Sequence, residues 1–393
     1  DGTITPSKLS TGVAGLVTWQ SVQTSGFTAV AGRGYPCNTT SAAFTVTLPA
    51  SATAGDTIRI VDYAGTFATN ALTLGANGLK INGGTANKLL TTNREAVTIT
   101  YVDSTQGWVS TSASNYGTQS LDPAPYSVDF LVVAGGGGGG STYVGGGGGA
   151  GGYRTSTQTV NSGVAITITV GDGGAGGTRP NRGTNGSDSS ISGSGLTTIT
   201  SAGGGGGGTE SPNTQCSAGG SGGGGTPSFV TGANGNTPST SPSQGNNGGN
   251  GGVTPAVGGW GGGGGGAGAT GSTGATGVGG NGGNGTASSI TGSSVTRAGG
   301  GGGAGEVNFG TGGTGGGANA SLGQGANGTA NTGGGGGGSE RTPLSNGGSG
   351  GKGVVILSMP TSNYSGTTTG SPTVTTSGSN TILQFNSSGS YTT

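Results

Sequence analysis

The residues of this chain that could perform chemistry are few and scattered. Histidine is absent, which removes the usual general base, the imidazole ligands of zinc and every Ser-His-Asp triad. Hydrolysis of a sugar would need two carboxyl groups facing one cleft, and none of the candidate carboxylates lies in a recognisable motif. We expect these carboxylates to be solvated or structural: Asp56, Asp62, Glu95, Asp103, Asp172, Asp188, Glu210, Glu306 and Glu340. The sequence therefore predicts that the protein is not an enzyme.

Metal and cofactor sites are not expected either. The two cysteines, Cys37 and Cys216, are too few for a Cys-rich metal site or a disulfide framework, so we favour two unpaired, partly buried thiols. Matches to the phosphate-binding pattern G-x-G-x-x-G follow from the glycine content alone, with no helix and no Walker lysine after them. We expect no metal and no cofactor.

Side chains suited to recognition are concentrated in short inserts between blocks of glycine. A rigid scaffold with such side chains at its loop tips can form a recognition surface, and aromatic tips could stack on sugars or fill protein pockets. The candidate binding residues are Tyr143, Arg179, Asn181, Arg182, Glu210, Phe229, Glu306, Phe309 and Arg341. The alternative for the aromatic residues is packing over the scaffold. We expect packing for Trp260, because it lies between two glycines.

The composition argues against two classes of partner. Twelve basic residues balance twelve acidic ones and only 6% of the chain is charged, so there is no basic field to attract nucleic acid or an anionic membrane. No apolar run approaches the roughly 20 residues of a membrane span. We expect neither nucleic-acid binding nor membrane insertion.

The first third of the chain has the pattern of a small β domain. Residues 1–20 are expected to be a linker, and residues 21–112 a small antiparallel β domain. Apolar and polar residues alternate in its segments 44–48, 56–63 and 96–103, which is typical of half-buried strands. Residues 113–125 lose this alternation and contain two prolines, which favours a second linker.

Residues 126–360 are expected to form a separate glycine-rich unit. Glycine supplies 104 of the 393 residues, and its blocks alternate here with short inserts. Two segments, 185–208 and 284–305, resemble each other, which indicates an internal duplication. We expect the segments 126–134 and 353–360, which flank the glycine blocks, to form strands that pair and close the unit. Residues 361–393 are expected to form a C-terminal β segment.

The glycine blocks are expected to serve a structural purpose that depends on the absence of side chains. Ordering glycine costs roughly 0.5–1 kcal/mol relative to alanine. A high glycine content is therefore expected where backbones approach each other more closely than a β-carbon would permit. Glycine recurs at every third position in one run, which matches the three residues per turn of polyproline-II-type helices. These expected scaffold glycines are Gly268, Gly271, Gly274, Gly277, Gly280 and Gly283.

The predicted fold is an all-β N-terminal domain plus a Gly-rich bundle of polyglycine/polyproline-II-type helices with interspersed β-strands, and essentially no α-helix. Collagen is the alternative for the period-three run, but that run has no proline. A flexible Gly/Ser linker is the alternative for the whole glycine region. The duplicated inserts and the flanking strands argue against it.

Several motifs, taken in their order along the chain, resemble the Gly-rich domains of bacteriophage tail fibres and tail-tip adhesins. These motifs are FLVVAGGGGGG at 130–140, GGGGGAGGYR at 145–154, ITITVGDGGAGG at 166–177 and GGSGGKGVVILSMP at 347–360. Upstream, the segment 31–78 is similar to a β-domain that recurs in fibre proteins of marine phages, and residues 1–12 are similar to the linkers found there. The inserts and the N-terminal domain depart from the adhesin pattern.

The resemblance implies a receptor-binding protein that attaches a virion to the bacterial surface through loops between Gly-rich helices. It implies a bacterial surface polysaccharide or outer-membrane protein as receptor, other fibre or tail proteins as neighbours, and an extracellular location in the tail fibre. Fibres of this kind are commonly threefold, so we expect a homotrimer formed through the N-terminal region. The alternative is a self-assembling structural surface filament or extracellular matrix protein that binds no host receptor.

Overall fold

The computed structural model describes residues 17–114, 125–141, 143–179, 181–210, 215–256, 258–340 and 345–393. The chain forms two compact units, Asp1–Ala124 and Pro125–Thr393. The described residues contain no α-helix and a single 3-10 turn at Thr361–Asn363, and their regular elements are otherwise strands. This confirms the all-β fold class with essentially no α-helix.

The described residues of the first unit form nine strands in two sheets. They are β1 (Thr18–Trp19), β2 (Phe27–Thr28), β3 (Arg33–Cys37), β4 (Thr45–Thr47), β5 (Thr57–Asp62), β6 (Leu72–Gly75), β7 (Lys88–Leu90), β8 (Ala96–Asp103) and β9 (Gly107–Ser114). One sheet has the order β1-β3-β5-β8-β9 and the other β2-β4-β6-β7. The chain therefore alternates between the two sheets from β1 to β6.

The expected antiparallel arrangement of this domain is wrong for its first six strands. The pairs β1–β3, β3–β5, β2–β4 and β4–β6 are parallel, whereas β5–β8, β8–β9 and β6–β7 are antiparallel. Parallel neighbours need a crossover, and here each crossover passes through a strand of the opposite sheet. Alternation of apolar residues predicts a half-buried strand but contains no information on the direction of its partner.

The core of the first unit lies between its two sheets. Alternate residues of β5 point inward, so Ile58, Ile60 and Asp62 are buried while their neighbours are not. The carboxylate of Asp62 accepts hydrogen bonds from the backbone N–H groups of Gly65, Thr66, Phe67 and Arg94 at 2.9–3.1 Å. Asp62 is thus one of the structural carboxylates that the sequence leads us to expect.

The second unit combines a β-sandwich with a bundle of glycine-rich runs. Its strands are β10 (Tyr126–Val133), β11 (Tyr153–Val160), β12 (Ala165–Thr169), β13 (Ser189–Gly193), β14 (Ile199–Ser201), β15 (Gly252–Thr254), β16 (Gly258–Trp260), β17 (Thr286–Ser288), β18 (Val295–Arg297), β19 (Ser321–Leu322), β20 (Ser339–Glu340), β21 (Val354–Pro360), β22 (Thr368–Thr369), β23 (Thr373–Ser377), β24 (Asn380–Phe385) and β25 (Gly389–Thr392).

Two five-stranded sheets form the sandwich. The first sheet has the order β11-β10-β21-β24-β23 and the second β14-β13-β12-β25-β22. The expected pairing of the two flanking strands is observed, since β10 and β21 are antiparallel with Phe130 opposite Leu357. The buried core between the sheets contains Phe130, Leu357 and Phe385 from the first sheet and Ile168 and Tyr391 from the second. Residues 361–393 supply β22–β25 and so contribute to both sheets.

The two similar inserts both form β-hairpins, but in different places. Hairpin β13–β14 joins the second sheet, where Ile191 pairs with Ile168 of β12. Hairpin β17–β18 is a separate two-stranded sheet on the outer face of the first sheet, where Ile290 packs against a cluster that includes Ile356 and Ile382. Similar sequences therefore have different tertiary contacts.

Hydrogen bonding in the glycine bundle repeats every three residues. Successive N–H groups of run 135–140 donate in turn to three neighbouring runs, at 2.8–3.0 Å: Gly135 to Ser187, Gly136 to Gly351, Gly137 to Gly149, Gly138 to Thr184, Gly139 to Gly348 and Gly140 to Gly146. A partner that recurs after three residues means three residues per turn, as in polyproline II. The run has no internal hydrogen bonds of its own, and its amides bond only to neighbours.

The same run is enclosed by six neighbours. Its carbonyl groups accept N–H groups from three further runs at 2.8–3.1 Å, in the order Gly204, Gly174, Gly336, Gly207, Gly177 and Ser339. Packing at this density leaves no room for side chains. A β-carbon added to Gly135, Gly136 or Gly137 would overlap the carbonyl oxygen of Asp172, Gly334 or Gly205.

Four of the period-three glycines occupy the inner faces of two successive runs, Gly271 and Gly274 in one and Gly280 and Gly283 in the next, whereas Gly277 has a φ of +76° and lies in the turn 275–278 that joins them. Five of the six expected scaffold glycines are buried, namely Gly271, Gly274, Gly277, Gly280 and Gly283. Gly268 is exposed and belongs to a turn, although a β-carbon there would still approach the carbonyl oxygen of Gly285 at 2.5 Å. The residues between these glycines, such as Thr273 and Asn281, are mostly exposed. One residue in three faces the bundle, as a threefold helix requires.

Candidate functional site

The glycine runs of the second unit connect two opposite ends of the bundle. At one end, neighbouring runs meet the sandwich strands, and Gly152 accepts a hydrogen bond from Ala134 at 3.0 Å and donates one to Ala202 at 2.8 Å. At the other end, Ala304 donates to Gly145 at 2.9 Å and accepts from Gly261 at 2.7 Å. We call this second end the loop end.

Nine connections leave the runs at the loop end. As far as the structure describes them, they are 141–144, 178–182, 209–217, 226–231, 252–260, 275–278, 305–309, 321–324 and 339–346. They come from all parts of the glycine-rich sequence and meet because successive runs alternate in direction. The loop end is therefore a composite surface.

The predicted binding residues are brought together at this end. Eight of them lie in its connections: Tyr143, Arg179, Asn181, Arg182, Glu210, Phe229, Glu306 and Phe309. The ninth, Arg341, lies outside the described residues. Tyr143 is 43% exposed and Phe309 36% exposed, while Arg182, Glu210 and Phe229 are half-buried.

Long insert 226–244 is not one loop. Only its first part lies at the loop end, where Thr226 donates its N–H to the carbonyl of Phe229 at 2.9 Å in a tight turn. Residues 231–236 then return along the bundle, with Ala233 bonded to Gly223 and Asn236 to Gly220. The remainder, 237–244, forms a second connection at the sandwich end. Residues 237–244 are thus far from the candidate binding residues.

Hydrogen bonds tie neighbouring loops to each other. The Arg182 guanidinium donates from Nη1 to the carbonyl of Gln215 at 2.9 Å. The carbonyl of Asn181 accepts from the hydroxyl groups of Ser141 at 3.1 Å and Thr209 at 3.3 Å. Three connections are therefore held in a fixed arrangement, and Arg182 has a structural contact as well as an accessible surface.

Two carboxylates of the loop end are close enough to affect each other. Burial, and then the negative charge of Glu306, raise the pKa of Glu210 above its ordinary value. The Glu306 carboxylate lies against Gly258 of the β15–β16 hairpin, where a β-carbon would overlap it. Glu210, Glu306 and Gly258 belong to three different connections, so these connections converge.

Exposed apolar side chains are concentrated at the same end. Among the described residues of the second unit, eight large apolar side chains are exposed, and seven of them lie in loop-end connections: Tyr143, Val230, Val253, Val278, Val307, Phe309 and Leu322. The eighth, Val374, lies in β23 of the sandwich. The sequence interpretation missed the valines and Leu322. The signal that could have found them is a lone aliphatic residue in a polar insert between two glycine blocks.

A small group of buried residues lies beneath the exposed side chains of the loop end. Val144, Ala304 and Ala320 form an apolar cluster, and the hydroxyl-bearing residues Ser141 and Thr209 beside it are fully buried. The expected packing of Trp260 is observed, because a β-carbon on Gly252 or Gly274 would overlap its indole ring. The exposed loop residues are thus supported by packed, buried residues.

The described residues contain no group of three or more His, Cys, Asp or Glu side chains that could hold a metal ion. Both cysteines are free and buried, as the sequence led us to favour. Within the described part of the chain, none of the regular structure is a helix of the length and apolarity that would be needed to traverse a lipid bilayer.

The fold and the loop end define a glycine-rich scaffold protein that displays a composite surface of loops. A family model described as a glycine-rich domain matches residues 109–360, and the chain belongs to this family. No match was found among curated proteins. The matched segment ends with β21, so strands β22–β25 lie beyond it although they complete both sheets of the sandwich.

Proposed function

We propose that the protein is a receptor-binding protein of a bacteriophage tail fibre, which attaches the virion to the bacterial surface through the loop end. The observation that supports this most is the concentration of exposed side chains there. Seven of the eight exposed large apolar residues in the second unit lie at the loop end, on connections that the bundle holds in place. Exposed apolar side chains that are concentrated at one end of a fold are the pattern expected of an interaction site.

The chemistry of the loop end suits a receptor on the cell surface. Tyr143 and Phe309 can stack on sugar rings or enter protein pockets, and the aliphatic tips Val253 and Val307 favour a partner with apolar surface. The receptor class is therefore a bacterial surface polysaccharide or an outer-membrane protein, of which the aliphatic tips favour the protein.

Assembly with other fibre proteins is part of the same proposal. The first unit exposes the large apolar residues Trp19, Tyr63 and Leu89, at 53%, 53% and 61%. Burial of such side chains between copies would stabilise a homotrimer. Repeated copies would also raise the affinity of weak single contacts.

The sides of the bundle argue for binding through its end rather than for lateral self-assembly. Asparagine side chains on the outer runs bond the backbone N–H groups that have no neighbouring run. Asn281 accepts from Thr311 at 2.8 Å and Asn284 from Thr314 at 3.1 Å. Edges closed in this way do not offer a template for another chain.

The test exchanges loops and leaves the scaffold intact. The full chain is fused to a fluorescent reporter, and its binding is measured on a panel of bacterial strains. Residues 226–230 or 305–309 are then replaced by Gly-Ser segments of equal length. We expect each loop variant to lose cell binding while it remains folded, with a cooperative thermal transition. The matched control replaces residues 237–241, at the sandwich end, in the same way.

Two outcomes would overturn the proposal. The first is undiminished binding by every loop-end variant, and the second is binding that is lost only when the control segment is replaced. Either result combined with concentration-dependent filament formation would favour the structural alternative.

A further inference from the structure

A polar groove lies on the sandwich, far from the loop end. It is formed on the outer face of the first sheet, just beyond the tip of hairpin β17–β18. The residues that line it are Asp129, Ser289, Ile290, Gly292, Ser358, Ser377, Asn380 and Ile382. Four strands and one hairpin therefore contribute to a single concave surface.

Strand register explains why the polar groups meet. Asp129 of β10 is opposite Ser358 of β21, and Asn380 of β24 is opposite Ser377 of β23. The Nδ2 atom of Asn380 donates to Ser358 Oγ at 3.3 Å, which connects the two pairs. The same face of the sheet is apolar nearer the bundle, where the hairpin covers it. The polar stripe begins where that cover ends.

The groove presents unused hydrogen-bonding capacity. Asp129 accepts a hydrogen bond at Oδ1 from the Thr157 hydroxyl at 2.6 Å, and a carboxylate has further acceptor sites at Oδ2. The hydroxyl groups of Ser289 and Ser377 can donate and accept, as can the amide of Asn380. Half-buried Ile290 forms an apolar wall beside these groups and packs against a cluster that includes Ile382, which is 2% exposed.

We infer that this groove binds a single neutral sugar residue, at a site separate from the loop end. A sugar ring combines vicinal hydroxyl groups, which carboxylate and amide side chains bond well, with C–H faces that pack on an apolar wall. The groove is open to solvent and has a volume of about 160 Å³. That is far more than the roughly 10–15 Å³ that one water molecule needs.

Other ligand classes fit the groove less well. Ca²⁺ takes six to eight oxygen ligands, mainly carboxylates and carbonyl groups, and the groove supplies only one carboxylate and one side-chain amide of these kinds. An anionic sugar would be repelled by Asp129, since no basic side chain lines the groove. A neutral polyol ring is what the set of donors and acceptors matches.

The test uses the full chain and defined probes. Saturation-transfer NMR is recorded with methyl α-D-glucopyranoside, methyl α-D-mannopyranoside and methyl α-D-galactopyranoside at millimolar concentration. We expect at least one glycoside to receive saturation from the wild-type protein. Ser289→Phe fills the groove from an exposed position, and Asp129→Leu removes its carboxylate. Each should weaken binding by at least about tenfold, the size expected for a lost hydrogen bond to a charged group.

Matched controls separate this site from the loop end and from general effects. Asp172→Asn removes an exposed carboxylate elsewhere in the same unit, and the 305–309 replacement alters only the loop end. Both should keep the wild-type signal. The inference is overturned if no glycoside receives saturation from the wild type, or if the signal persists in Ser289→Phe and Asp129→Leu. Cell binding through the loop end is unaffected by either result.

Discussion

Gly301 donates its backbone N–H to the carbonyl of Gly148 at 2.9 Å, although more than half of the glycine-rich unit separates the two residues in sequence. Gly148 in turn donates to Gly336 at 2.8 Å, so hydrogen bonds continue from run to run across the bundle. A β-carbon on Gly301 would overlap the carbonyl oxygen of Gly336. The close approach that makes this hydrogen bonding possible is therefore also what makes each inner glycine irreplaceable.

Substitution of an inner glycine should unfold the second unit. We expect Gly301→Ala to destabilise it by about 3 kcal/mol or more, because the added methyl group forces adjacent runs apart. The matched control is Gly84→Ala, where the new β-carbon meets only the Ile81 carbonyl oxygen at 3.8 Å. Differential scanning calorimetry of the full chain measures both variants. A Gly301→Ala protein that melts like the wild type would contradict the packing argument.

The asparagine ladder on the outer runs should be a measurable source of stability. Asn281→Ala and Asn284→Ala each leave a backbone N–H of Thr311 or Thr314 without its protein partner, at a cost of about 1 kcal/mol each. Hydrogen exchange at those two amides should accelerate. Asn346→Ala, at an exposed position of the loop end, should change neither amide. Unaltered exchange in the double variant would mean that water replaces the side chains without penalty.

Exposed apolar tips should affect binding rather than stability. We expect the double variant Val307→Ser, Phe309→Ser to keep the wild-type melting temperature, because both side chains are exposed, and to lose at least about tenfold in cell binding. Val374→Ser provides the control, since it removes the exposed apolar side chain that lies outside the loop end. Equal loss in both proteins would show that exposed apolar area, and not its location, governs adhesion.

Glu210 should make the second unit less stable as pH rises. Its pKa is raised in the fold by burial and by Glu306, so the ionised form is disfavoured. As far as Glu210 is concerned, the second unit is therefore most stable below the ordinary glutamate pKa of about 4.3, where the carboxyl group is protonated in both the folded and the unfolded state. It loses stability as pH increases through the raised value. Glu210→Gln should therefore melt at a higher temperature than the wild type at about pH 7, and at nearly the same temperature at about pH 4.

Glu306→Gln supplies the companion measurement for Glu210. Removal of the neighbouring charge should lower the pKa of Glu210 towards its ordinary value and reduce the pH dependence only in part, because burial is the larger cause. If Glu210→Gln has the same pH dependence of melting as the wild type, then burial and the charge of Glu306 do not raise the pKa of Glu210.

The two thiols should be inert in the folded protein. Burial, and then the charge of Asp62, raise the pKa of Cys37 to about 12, and burial is the main cause of the raised pKa of Cys216. We expect neither to react with iodoacetamide at about pH 8 in the native state, and both to react in denaturant. Mass spectrometry of the intact chain counts the modified sites. Rapid labelling of either cysteine in the native state would show that the residues that bury it move apart and expose the thiol.

The sequence by itself determined the fold class and the nature of the glycine runs. A period of three, as at Gly271 and Gly274 and again at Gly280 and Gly283, indicates a threefold helix with one inner face, because only glycine tolerates the approach of neighbouring backbones. The pairing of β10 with β21 was also predictable, since two apolar strands flank the glycine blocks. These features depend on local periodicity and composition, which a sequence contains directly.

Tertiary structure alone decided which residues meet. Nothing in the pattern of β3 and β5 indicates that they run parallel, because period two specifies a buried face and not the direction of a neighbour. The split of residues 226–244 between opposite ends, and the grouping of Val253, Val307 and Leu322 with Tyr143, depend on the direction of each run in the bundle. Those directions depend on backbone hydrogen bonds between runs that are far apart in sequence, and the local pattern of glycines does not specify which runs become neighbours.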